Sequence, residues 1–130
     1  MVDYLNDTTI LYVEEDESFR VKVAPFLLKM CRSLYVAKDG LEGLDLWEEY
    51  HPKLVICSVQ MPKLCGIEMA NRMRVVIPDQ IIVFTTAPSD IAYMARATAI
   101  GANTYIPKSV DPRYLKETLE MLVNDECSVS

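Results

Sequence analysis

The chain has 130 residues, 51% hydrophobic and 25% charged, which is the balance of one folded domain with a genuine core and not of a disordered segment. Its formal net charge of −6 leaves no surplus of Lys and Arg to neutralise phosphates, so direct nucleic-acid binding is not expected. No apolar stretch approaches the roughly 20 residues that span a bilayer. The segment Met1 to Asp7 is polar and acidic, unlike a signal peptide, and a cytoplasmic location is expected. Cys31, Cys57, Cys65 and Cys127 form no C-x-x-C pair and His51 is the single histidine, so neither zinc nor a disulfide framework is expected.

Taken in chain order, a first strand is predicted at Ile10–Val13, opening into the acids Glu14, Glu15 and Asp16. Asp16 is placed to cap a helix whose inner stripe is Phe19, Val23, Phe26, Leu27 and Met30, with Pro25 as a local flaw. A second strand at Leu34–Ala37 leads to a helix from about Leu41 to Tyr50, with Leu41, Leu44 and Trp47 facing inward. A third strand, Leu54–Cys57, ends at Ser58. Gly66 then precedes a helix carrying Met69, Met73 and Val76 on one side and stopped by Pro78.

The fourth strand is predicted at Ile81–Phe84. Ser89 is the expected N-cap of a fourth helix, with Ile91, Met94, Ala95 and Thr98 on its inner stripe, ending at Gly101. The fifth strand covers Thr104–Ile106. Asp111-Pro112 begins the last helix, with Leu115, Thr118, Leu119 and Leu122 inward. Residues 1–124 read as one domain, and 125–130 as a polar tail or linker stub with frayed ends from Asn124. Strands apolar throughout point to a parallel sheet covered on both faces. The alternation of five strands with five helices gives an α/β, doubly wound fold with right-handed crossovers.

In such sheets, sites form beyond the carboxyl ends of the strands. The loops there carry Glu14-Glu15-Asp16, the segment Ser58 to Gly66 with Met61-Pro62-x-x-x-Gly66, then Thr86-Ala87, then Lys108. This ordered set resembles the receiver domain of bacterial two-component response regulators, from Thr8 to about Val123. The resemblance implies the flavodoxin-like strand order 2-1-3-4-5. It implies that Glu14 and Glu15, with the main-chain carbonyl of Gln60, stand where the family holds Mg²⁺. Thr86 and Lys108 stand where a phosphoryl group is contacted, and Tyr105 where a switch aromatic lies.

Ser58 departs from the pattern, since it occupies the place of the aspartate that accepts a phosphoryl group from a histidine kinase. A serine hydroxyl needs a base or a lowered pKa before it attacks, and no histidine is at hand. Loss of one carboxylate also weakens any Mg²⁺ site, because affinity tracks ligand charge. Ser58 is expected to lie on the pocket floor, hydrogen-bonded to Lys108 or to a Glu14 or Glu15 carboxylate. Lys108 is expected to pair with Glu14 or Glu15. A cis bond before a non-proline residue costs about 3 kcal/mol, so Lys108–Ser109 is expected trans.

The implied function is a degenerate, non-enzymatic receiver of a phosphorelay family that works by protein contact. Its partner would be a histidine kinase or output protein, or a second copy through the fourth helix, fifth strand and fifth helix. That face offers Tyr93, Arg96, Tyr105, Arg113 and Tyr114. Two alternatives are disfavoured. A haloacid-dehalogenase-type phosphatase needs an Asp-x-Asp nucleophile, which Glu14-Glu15-Asp16 does not supply. A flavodoxin-like carrier would set three acids against a flavin phosphate.

Overall fold

A computed structural model describes residues 4–93, 104–109 and 111–128. Its sheet contains β1 (Thr9–Val13), β2 (Ser33–Ala37), β3 (Leu54–Ser58), β4 (Ile81–Thr86) and β5 (Thr104–Pro107), all paired in parallel in the order β2-β1-β3-β4-β5. Each strand lies within a residue or two of its predicted bounds. β3 is buried along its whole length, as an apolar run between two helical layers requires.

Helices cover both faces. On one side α2 (Gly40–Tyr50) and α3 (Gly66–Val76) close a core of Leu11, Val13, Val55, Cys57 and Phe84. On the other, α1 (Glu17–Met30) and the final helix (Pro112–Ser128) close a core of Ile10, Tyr12, Ile56, Val83 and Leu119. Asp16 caps α1 by accepting from the Ser18 N–H at 2.8 Å, and Pro25 is carried inside that helix.

Four local expectations need correction. Leu41 is 46% exposed, because the face that α2 buries runs through Gly40, Gly43 and Trp47 and leaves Leu41 out of phase. Val76 is 68% exposed; Ile77, just beyond α3, packs on the core in the place it was expected to fill. Pro88–Tyr93 forms a 3₁₀ helix with Ser89 inside it, so Ser89 does not cap an α-helix at this point. Most of the expected fourth helix, including Met94, Ala95, Arg96 and Thr98, lies outside the described residues. The final helix continues through Ser128, past the fraying expected from Asn124, since residues 124–128 contain no glycine or proline to stop it.

Candidate functional site at the carboxyl ends of the strands

The strand register sets the site. Val13 pairs with Cys57, so the next residues, Glu14 and Ser58, emerge side by side at the top of the sheet. Ser58 in turn pairs with Thr85, which brings the end of β4 to the same edge. The Lys108 N–H donates to the Thr86 carbonyl at 2.9 Å, and this holds the end of β5 against β4. No peptide among the described residues is cis, so the Lys108–Ser109 bond is trans as expected.

Glu14 is 1% exposed and fully engaged on one oxygen. Its Oε2 accepts from Lys108 Nζ at 3.0 Å and from the Asp16 N–H at 3.1 Å. Arg20 Nη1 donates to the Glu14 main-chain carbonyl at 2.8 Å, fixing the loop from below. Lys108 lies 3.7 Å from Glu15 Oε1, too far for a hydrogen bond, and 5.3 Å from the centre of the Phe19 ring. The predicted lysine–glutamate pair is therefore present, and it favours Glu14.

The two glutamates titrate as a pair. Burial raises the Glu14 carboxyl above the usual range, and the neighbouring Glu15 pushes the same way, while the Asp16 N–H and Lys108 oppose them. Glu15 moves down. Burial works against that, but hydrogen bonding toward Glu14 and its own backbone, with help from the Ser58 hydroxyl and Lys108, outweighs it. Of the two, Glu14 takes the proton first as pH falls.

Ser58 is buried as expected but lacks the expected hydrogen bond. It is 1% exposed, and its Oγ makes no hydrogen bond to Lys108 or to either glutamate. Its hydroxyl dipole reaches the Glu15 carboxyl without hydrogen-bond geometry, and Glu15 Oε1 is likewise buried without a hydrogen-bond partner. Lys108 is held by Glu14 instead, since a full charge outcompetes a neutral hydroxyl. The β3 loop then folds back so that the Gly66 N–H donates to the Val59 carbonyl at 2.8 Å. A Cβ at residue 66 would fall inside the Ser58 carbonyl oxygen, so the Met61-Pro62-x-x-x-Gly66 pattern has a steric cause here.

Two buried oxygens without a hydrogen bond, Ser58 Oγ and Glu15 Oε1, are donors of the kind a hard cation takes, although Lys108 Nζ lies 3.7 Å from the second. Glu14 Oε2 is already neutralised by Lys108, and among the described residues no group of three or more His, Cys, Asp or Glu is placed to hold a metal. The cleft therefore offers a cation little ligand charge. The single histidine, His51, is the C-cap of α2 and offers Ser58 no base.

Other expected residues are spread out. Thr86 ends β4, half-buried. Tyr105 is half-buried and stacked on Phe84 with ring centroids 6.1 Å apart. Arg113 is exposed and paired with Asp111 at 2.9 Å, Tyr114 is exposed, and Arg96 lies outside the described residues. Sequence reasoning missed Arg20 and Phe19, whose helical spacing marked only core or solvent. It also missed Asp90, a buried carboxylate in the loop after β4. Its signal was a lone acid among turn residues, with no pattern to connect it to Gln60.

Residues 10–120 match the model of the response regulator receiver domain. The chain is 30% identical over 119 residues to a probable transcriptional regulator, ycf27, of Cyanophora paradoxa, covering 92% of this chain and 49% of that protein. It is 33% identical over 110 residues to the response regulator MprA of a Mycobacterium species, covering 85% and 46%. The chain thus spans about half the length of the curated relatives it matches. Among solved structures, the N-terminal domain of an uncharacterized protein from Wolinella succinogenes superposes with a TM-score of 0.86 at 28% identity, covering 95% of this chain and 99% of that one. A CheY-like response regulator receiver domain protein from Methanospirillum hungatei, with a TM-score of 0.88 at 21% identity over 95% and 99%, shares the fold. No described helix is long and apolar enough to cross a membrane. With its sheet order, its acid loop and its lysine in register, the chain belongs to the response regulator receiver domain family.

Proposed function

We propose that this receiver signals by protein contact without being set by phosphoryl transfer. The observation that carries the reading is Ser58, buried at the end of β3 where the family resemblance expects a phosphoacceptor aspartate, with no histidine nearby to serve as its base. A carboxylate is nucleophilic at pH 7, whereas an alcohol in this setting stays protonated. The Lys108–Glu14 ion pair supports the same reading, because it uses internally the ammonium that would otherwise meet a phosphoryl oxygen.

Glu14, Glu15 and the Gln60 main-chain carbonyl would hold Mg²⁺ weakly, with Ser58 Oγ as a neutral fourth donor. When bound, Mg²⁺ would supply charge neutralisation at the mouth of the cleft. Partners would be a histidine kinase or output protein of a two-component pathway, or a second copy of the chain. Tyr105, Arg113 and Tyr114 would contribute to that surface, together with Tyr93 and Arg96. The acidic net charge favours protein over nucleic acid as the partner of this segment.

The test is a titration with Mg²⁺ and beryllofluoride, an acyl-phosphate mimic, followed through the amide resonances of Thr86 and Lys108. The reading expects no saturable shift beyond that caused by Mg²⁺ alone in the protein as it stands and a beryllofluoride-dependent, saturable shift in Ser58→Asp. Saturable shifts of similar size in both proteins would contradict it.

A further inference from the structure

The ends of β3 and β4 are joined by a contact that involves no phosphoryl group. Gln60, two residues past Ser58, donates from Nε2 to Asp90 Oδ1 at 2.7 Å and to the Ser89 carbonyl at 3.3 Å. The other carboxylate oxygen, Oδ2, accepts from the Ala87 N–H at 2.7 Å, and the Asp90 N–H donates back to the Ala87 carbonyl at 2.9 Å. Asp90 is 3% exposed. Ala87 directly follows Thr86, so one buried carboxylate both closes the loop after β4 and ties it to the loop after β3.

We propose that the Gln60–Asp90 pair is a built-in latch that holds the Thr86-bearing loop in one position relative to the β3 loop. A buried carboxylate is costly unless hydrogen-bonded, and the two short bonds to its separate oxygens offset that cost only while the loops stay together. Separating them leaves Asp90 without its amide donor and loosens its hold on Ala87. Gln60 is thus a positioning residue with two distinct parts: its backbone carbonyl belongs to the candidate metal site, and its side chain fixes the neighbouring loop. The latch extends the proposed function by naming what sets the loop when no phosphoryl group does. Its test involves no phosphoryl chemistry, so the two ideas fail separately.

Native-state amide exchange of the full chain reads the latch directly at the Ala87 and Asp90 amides. Gln60→Ala is expected to cut protection at both by about tenfold or more, as loss of a charge-assisted bond in a locally opening loop implies, with Ile82–Thr85 unchanged. The exchanged pair, Gln60→Glu with Asp90→Asn, restores protection. The new amide at position 90 accepts from the Ala87 N–H with its carbonyl and donates its NH₂ to the new carboxylate at position 60, so the bond survives with its polarity reversed. Unchanged protection in Gln60→Ala overturns the latch. So does an equal loss across the β4 amides, which marks general stability, or failure of the exchanged pair to recover.

Discussion

The two sides of the cleft are satisfied to very different degrees. On the β1 side, Glu14 is held by Lys108, by the Asp16 N–H and, through its carbonyl, by Arg20. On the β3 side, Ser58 is just as buried and its hydroxyl has no hydrogen-bond partner. Ion pairs taken out of water must be completed or they unfold the site, whereas a lone hydroxyl costs only a modest amount. Stability of the cleft therefore rests more on the acid loop than on the β3 end.

Breaking the acid side should have the largest effect. Lys108→Met leaves Glu14 buried beside Glu15 without its cation, and urea unfolding should report a loss of about 3–5 kcal/mol. A loss below about 1 kcal/mol would erase the contrast between the two sides. On the β3 side, Gly66→Ala forces the loop off the Ser58 carbonyl, and a loss of about 1–3 kcal/mol is expected.

Ser58→Asp sharpens the comparison by adding a like charge to the quiet side. In EDTA the melting temperature should fall below that of the parent protein, and Mg²⁺ should raise it by more than it raises the parent. Equal melting temperatures in EDTA would count against this electrostatic account.

Glu14 gives the pH dependence its sign. Its folded pKa lies above its unfolded value, so the folded state binds the proton more tightly. Its contribution is fully present below the ordinary glutamate range and is lost as pH rises through the raised folded value. Glu14→Gln should therefore gain on the parent across that window, measured as the difference in unfolding free energy at a series of pH values. Glu15 and Asp16 run the other way, with stability lost as pH falls through their lowered values. The smallest effect is expected at the periphery, where Arg113→Ala removes an exposed pair with Asp111 and should leave the melting temperature unchanged.

Much of the fold was legible because most strands are built on an apolar run and each site loop follows a strand directly. Leu11, Val55 and Phe84 are buried for the reason their runs imply. Helix faces were less legible. The buried stripe of α2 is made partly of glycine, which carries no hydrophobic signal, so Leu41 was assigned inward. The Lys108–Glu14 pair could be anticipated, because opposite charges on adjacent strand ends seldom stay apart. Ser58's isolation could not, since it depends on which of two acceptors Lys108 selects. The Gln60–Asp90 bond was invisible for a similar reason: it joins two loops 30 residues apart through side chains whose types fit any turn.

Intact mass after incubation with acetyl phosphate and Mg²⁺, with Ser58→Asp run in parallel, puts the central claim to its most direct test. The account predicts no added mass on the parent chain and one base-labile phosphoryl group on the variant. Any phosphoryl adduct on the chain carrying Ser58, base-labile or base-stable, would contradict it.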